Sequence, residues 1–233
     1  MLEIKDIHTY YDSSYILRGV SLEVQAPEIV ALLGRNGAGK TTTLKSIMGI
    51  LVPRKGSVTY KGEQIKGLRP FQIARKGIGY VPEDRRIYPD FTVRENLEVV
   101  SRHLRRETRW KSIEAVFDLF PELRGLEARL GYQLSGGESQ IVTICRTLLT
   151  NPEVLLLDEP SEGLAPLIII RLLDAIKALK TQRLSILLSE QNSRFVTKVA
   201  DRVYILDEGK IVFQGTCKDF VESEEAAQKY LLV

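Results

Sequence analysis

Four short apolar runs limit what this chain can fold into: EIVALLG (28–34), GIGYVPE (77–83), EVLLLDE (153–159) and RLSILLSEQ (183–191). Each holds four or five consecutive apolar or small residues and then breaks into a polar or glycine-rich stretch. A strand with one face in water alternates, whereas a run that is apolar at every position is buried on both faces. Strands of a parallel sheet covered by helices read this way. Helical spacing is visible between the runs, since Ile169, Leu172, Leu173 and Ile176 follow GLAP at intervals of three and four. The chain therefore reads as α/β with a parallel sheet. Ligands of such sheets sit beyond the carboxyl ends of the strands, which directs attention to the polar residues after each run.

The flanking segments read differently. LEIKDI and VSLEV, within the first 25 residues, alternate as half-buried antiparallel strands do, and GSVTYKGEQI (56–65) resembles a short hairpin. From about 88 to 150 there is no strand run, and the stretch reads as helices forming a lobe inserted into the sheet domain. The expected organisation is one domain over 1–233, with 1–87 and 151–233 making the β-subdomain and core. There is no internal repeat, low-complexity tract or flexible linker.

Composition excludes several function classes. A formal net charge of +3 on 233 residues is too small to point to nucleic acid. The basic run SRHLRRETRWK (101–111) lacks the interleaved aromatics of a base-stacking platform and reads as a solvated helix face. Cys145 and Cys217 lie in unrelated segments without metal-ligand spacing, which suits a reducing compartment. The N-terminal MLEIKDI lacks a signal-peptide layout. No apolar run reaches the roughly 20 residues that span a bilayer, and the longest, LAPLIIIRLL, is interrupted by Arg171. A cytoplasmic chain is expected, with any membrane role coming through a partner.

Three segments carry chemistry. GRNGAGKTT (34–42) matches G-x-x-x-x-G-K-[ST], following a buried strand and opening a helix. Gly34, Arg35, Asn36, Gly37, Ala38 and Gly39 supply a loop whose N–H groups wrap phosphates, and the helix end at Thr42 adds a favourable dipole. Lys40 reaches the outer phosphates, and Thr41 offers a hydroxyl to Mg²⁺. In VLLLDE, Asp158 at a strand end can hold the magnesium through water. Glu159 next to it can orient or deprotonate an attacking water. In LSGGESQ (134–140), Ser135 and Glu138 form a capping box. Gly136 and Gly137 weaken a helix start but suit a backbone that an anion approaches closely.

Together and in this order, the three segments resemble the ATP-binding subunit of an ABC transporter: GRNGAGKTT as Walker A, LSGGESQ as the signature, VLLLDE as Walker B. Tyr11 matches the aromatic that stacks on adenine. The resemblance covers essentially the whole chain. It implies a P-loop NTPase core with an N-terminal antiparallel β-subdomain and an inserted helical lobe. It also implies a head-to-tail dimer with ATP and Mg²⁺ held between Walker A of one protomer and the signature of the other. The partners would be transmembrane permease subunits, a second ATPase subunit and, indirectly, a solute-binding protein. The location would be the cytoplasmic face of a prokaryotic inner membrane. The lobe and the loop after GYVP would face the membrane subunits. YVPEDRRIYPDFTVRENL, DEPSEGLAP and SEQN narrow the resemblance to the second of the two ATPases of branched-chain amino-acid importers, or relatives for urea or short amides.

Three positions depart from the general family pattern. Glu83 stands where a glutamine contacts magnesium and the attacking water, a role a carboxylate can share. Ala165 replaces an aspartate in a loop that crosses the dimer interface. Gln191 replaces a histidine at the γ-phosphate; its amide keeps a hydrogen-bond donor but cannot take up a proton or a positive charge as histidine can. Two other readings stand beside the importer: an ATPase of lipid or polysaccharide export, and a regulatory module that binds nucleotide without turnover. Retention of Glu159 argues against the latter.

Overall fold

The alternating N-terminal segment forms β1 (Leu2–Tyr11) and β2 (Ser14–Val24), and the first apolar run forms β3 (Ile29–Leu33). The computed structural model describes residues 1–101 and 112–223. After β3 come α1 (Lys40–Ile47), the hairpin β4 (Lys55–Tyr60) and β5 (Glu63–Gln64), α2 (Pro70–Lys76) and β6 (Ile78–Val81). The middle of the chain holds α3 (Val93–Ser101), α4 (Ile113–Leu119) and α5 (Gly136–Leu148). Then follow β7 (Val154–Asp158), α6 (Pro166–Thr181), β8 (Ser185–Glu190), α7 (Ser193–Val199), β9 (Arg202–Asp207), β10 (Lys210–Thr216) and α8 (Cys217–Glu222).

Two sheets result. Four strands in the order β2-β1-β4-β5 are antiparallel throughout. Six run β10-β9-β3-β8-β7-β6, parallel from β9 to β6, with β10 antiparallel on one edge. The apolar runs at β3, β7 and β8 are interior strands of this second sheet, and the run at β6 forms its edge beside β7. Ile29, Ala31 and Leu33 of β3 enter one apolar cluster, with side chains of α5, α6 and α7. Val30 and Leu32, facing the other way, enter a second cluster with the antiparallel sheet and α1. Leu155 and Leu157 of β7 point into the first cluster, Val154 and Leu156 into the second. With both faces covered, no position along these strands tolerates an unpaired polar group.

Between 90 and 150 the described residues contain helices, two short 3₁₀ turns (Pro121–Leu126 and Gly131–Gln133) and one isolated bridge, Thr92 to Leu130. Val93, Leu97, Val116, Phe117 and Leu123 belong to the same cluster as the first face of the parallel sheet. This helical stretch thus shares its core with the sheet. The basic run predicted as a helix face lies, at 102–111, outside the described residues. Cys145 is buried and Cys217 half-buried, both as free thiols. Among the described residues no helix is long and apolar enough to cross a membrane.

Strand register sets up the functional edge. Leu33 pairs with Glu190, Asp158 with Ser189, and Val81 with Leu157. The residues following β3, β8, β7 and β6 therefore emerge side by side. Leu156, fully buried between the sheets, should be critical to this arrangement: Leu156→Ala is expected to cost about 2–5 kcal/mol in urea unfolding. Val212→Ala on the exposed edge strand should stay within about 0.5 kcal/mol.

Candidate active site

The carboxyl ends of β3, β7 and β8 border an open cleft of about 680 Å³, lined by residues that include Gly34, Arg35, Glu159, Glu162, Glu190 and Gln191. The glycine-rich loop folds over the end of β3. A Cβ at Gly34 would lie 2.4 Å from the Leu206 carbonyl oxygen, so this residue must be glycine for β9 to pass. Gly37 stands in open space at φ 82°, a left-handed conformation that the turn itself demands. Ala38 is buried, Arg35 and Asn36 are exposed, and the loop runs into α1 through Gly39. No side chain caps α1 and its first turn carries no acid, so the positive end of the helix is open to an anion.

Lys40 is almost fully buried. Its ammonium donates to the carbonyls of Gly34 (2.9 Å) and Arg35 (3.1 Å) and pairs with Glu159 Oε1 at 2.9 Å. Glu159 has a left-handed backbone, φ 46°, held by its N–H on the Ser189 carbonyl (3.0 Å) and hydroxyl (3.2 Å). A non-glycine residue in that region marks local strain imposed by its surroundings. Asp158, 1% exposed, accepts three hydroxyls: Thr41 at 3.0 Å, Ser189 at 2.7 Å and Tyr80 at 2.9 Å. Burial first, and the neighbouring Asp158 second, push the Tyr80 phenol far up, so it stays a donor.

Thr41 and Asp158 thus meet as a hydroxyl and a carboxylate, the hard oxygen donors that magnesium takes while keeping several waters. The residues present fit that ion. Glu83 is exposed on the loop after β6 and hydrogen-bonds to neither. Its charge is felt at Glu162, whose carboxyl is held above the usual carboxylate range mainly by a hydrogen bond with Glu159. Among the described residues no cluster of three or more His, Cys, Asp or Glu side chains could hold a metal.

The remaining sequence-derived candidates divide. Gln191 lines the cleft with Glu159 and Gly34. Thr42 is buried in α1. Tyr11 is exposed at the end of β1, where Lys45 of α1 donates to its hydroxyl at 3.4 Å. Ser135, Gly136, Gly137 and Glu138 open α5 away from the cleft lining. Ser135 and Glu138 make the reciprocal cap, 2.7 and 3.3 Å. Both glycines are also closely approached within the protomer: a Cβ at Gly136 would lie 2.7 Å from the Arg85 guanidinium, and one at Gly137 2.9 Å from Ile168. Ala165 is the N-cap of α6 and offers no capping side chain.

Several site residues escape a motif search: Tyr80, Ser189, Glu190 and Glu162. All but Glu162 lie at or near the carboxyl end of a parallel strand, and that rule alone would have found them. Glu190 is 2% exposed, yet it accepts from the backbone N–H of Ser161 at 3.0 Å and of Asn192 at 3.4 Å. It ties the loop after β7 to the loop after β8. Burial lifts its carboxyl to about 7, against the lowering effect of those hydrogen bonds.

A phosphate loop, its buried lysine and two strand-end acids on a parallel sheet define a P-loop nucleotide hydrolase. The chain belongs to the ABC transporter family, whose model matches residues 17–162, and it is an ATP hydrolase of that kind. It is 38% identical over 231 residues to the high-affinity branched-chain amino acid transport ATP-binding protein BraG of Pseudomonas aeruginosa, covering 99% of both chains. It is 35% identical to the lipopolysaccharide export ATP-binding protein LptB of Haemophilus influenzae, covering 99% of this chain and 97% of that one. Among solved structures, an ATP-binding subunit of an ABC transporter superposes with TM-score 0.85 at 30% identity, covering 99% of this chain and 96% of that one.

Glu190 makes the site measurable by pH. Its folded-state pKa of about 7 exceeds the ordinary 4.5, so between those values the folded chain holds a proton that the unfolded chain has lost. Stability contributed by this group is therefore full below about pH 4.5 and declines as pH rises to about 7, by about 3 kcal/mol in total. Glu190→Gln should remove that part of the pH slope, read as the difference between wild-type and variant urea unfolding at pH 5 and pH 8. Equal slopes would count against a buried, protonated Glu190.

Proposed function

We propose that this chain is the ATP-hydrolysing subunit of an importer of branched-chain amino acids or similar small polar solutes. The observation that carries the hydrolytic part is the buried Lys40–Glu159 pair at 2.9 Å, beside Thr41 and Asp158 at 3.0 Å. Lys40 now spends its charge on two loop carbonyls and Glu159. An incoming terminal phosphate takes over those hydrogen bonds and releases Glu159 to orient water. Gln191 supplies an amide donor to the γ-phosphate, and Glu83 approaches from the loop after β6. Mg²⁺, held by Thr41 and through water by Asp158, would neutralise charge on the phosphates. Asp158 is fixed in place by its three hydroxyl donors.

The Ser135–Glu138 turn lies outside the cleft, which supports a dimer in which it meets the nucleotide of the opposite protomer. Tyr11 beside α1 is placed to stack on adenine. Tyr88, Phe91 and Tyr132 are 46, 42 and 65% exposed on the loop after β6 and the helical stretch. The Tyr88 and Phe91 rings meet at a tilt with centroids 5.3 Å apart, and the Tyr132 N–H bonds to the Pro89 carbonyl. Such a joined aromatic patch suits docking against membrane permease subunits, at the cytoplasmic face of a prokaryotic inner membrane. The importer class is favoured by the 38% identity to the Pseudomonas aeruginosa protein and by SEQN, while the lipopolysaccharide-export relatives keep export as the second reading. Co-purification with membrane subunits, followed by ATPase assays with leucine, isoleucine, valine or urea, separates the two.

Glu159→Gln should abolish turnover and trap an ATP-bound dimer, seen by size exclusion with ATP; a wild-type rate would remove Glu159 from the mechanism. Gln191→Ala should lower kcat by about 10- to 100-fold while changing ATP affinity little, since it removes one preorganised donor at the reacting phosphate. Equal losses in rate and affinity would sink that contact.

A further inference from the structure

One arginine outside the cleft lining touches three of the segments that ATP turnover needs. Arg85 lies on the loop that carries Glu83 and leads away from β6. Its main-chain carbonyl accepts the Thr143 hydroxyl of α5 at 2.6 Å. The next carbonyl, Arg86, accepts from Arg146 Nη2 of the same helix at 2.6 Å. The Arg85 side chain reaches toward a third segment, where Nη2 donates to the Glu162 carbonyl at 3.2 Å. Its Nη1 lies 2.7 Å from where a Cβ on Gly136 would stand, so the bare backbone there is what admits the guanidinium.

This arrangement is held against local preference. Arg85 and Arg86 are successive non-glycine residues at φ 58° and 44°, a conformation such residues keep only where their surroundings impose it. Arg85 Nε is buried without a hydrogen-bond partner, a desolvation cost that nothing local offsets. The planar fork suits a residue that must brace two directions at once.

We propose that Arg85 is a positioning residue for ATP turnover. It holds the Glu83 loop, the Ser135–Gly137 turn and the Glu159–Gly163 loop in one arrangement, acting through them without touching nucleotide at the phosphate loop. The proposal rests on the reading of Glu159 as the group that activates water. Since Arg85 does not line the cleft, its loss leaves nucleotide binding in place and loosens the relative placement of the loops.

The test compares purified wild type, Glu159→Gln, Arg85→Ala and Arg85→Lys in steady-state ATPase assays, equilibrium binding of a fluorescent ATP analogue, and thermal melts. Arg85→Ala should lower kcat by about 10- to 100-fold with nucleotide Kd changed less than about 3-fold, the pattern of misplaced loops. Arg85→Lys, with a compact ammonium in place of the fork, should fall between Arg85→Ala and wild type. An Arg85→Ala variant at the wild-type rate, or one losing rate and affinity equally, overturns the proposal while an inactive Glu159→Gln leaves the hydrolytic reading intact. If Arg85→Ala fails to fold, Arg85→Lys decides: a lower kcat at unchanged affinity supports the role, and a wild-type kcat overturns it. An inactive wild type, or a Glu159→Gln variant as fast as wild type, overturns the hydrolytic reading and the role of Arg85 with it.

Discussion

The register of three neighbouring parallel strands carries the rest of the molecule. Because Leu33 lies beside Glu190 and Asp158 beside Ser189, the phosphate loop, the two strand-end acids and the Gln191 segment leave the sheet at one edge. A slip of one residue would turn every side chain to the opposite face and send the polar strand ends into an apolar cluster. Both faces of the sheet are covered, so that slip has no tolerated alternative. The same packing that makes these strands apolar throughout also locates the chemistry at their ends.

Charge at that edge is arranged to be exchanged. A buried ammonium against a buried carboxylate is costly to desolvate, and is tolerated only when the remaining hydrogen-bonding capacity is used. Lys40 meets that condition with two carbonyls of its own loop, while the backbone of Glu159 is fixed by its N–H on the Ser189 carbonyl and hydroxyl. In the proposed mechanism a phosphate would substitute for carbonyl and carboxylate alike, and the protein holds Lys40 paired in advance. Asp158 differs: three hydroxyls surround it and orient its oxygens. Glu190 next door bridges two loops as a buried carboxyl that titrates near neutral pH. Three acids at the ends of two neighbouring strands therefore have three different environments.

The opening turn of α5 shows how one sequence element can satisfy two demands. Its serine and glutamate cap the helix reciprocally, while its glycines admit Arg85 and Ile168. The proposed anion-facing role at a dimer interface would use the backbone N–H groups, which side-chain contacts within the protomer leave unaltered. The glycine pair is thus explained by packing in one protomer before any partner is considered.

The sequence determined the elements whose signal is periodic or local: the alternating hairpin β1–β2, the four doubly buried strands, the capping box at Ser135, and the glycine-lysine loop before α1. Each depends on neighbours close in the chain, so the residue pattern carries it. Tertiary structure alone decided which distant residues meet. Tyr80, Ser189 and Thr41 converge on Asp158 from across the chain, Glu190 joins two loops, and Arg85 reaches both Glu162 and Gly136. None of these has a spacing to recognise, because side-chain contacts between strands depend on sheet order and register. Strand order, β9-β3-β8-β7-β6, is set by how two apolar faces are jointly covered, a property of the whole packed chain.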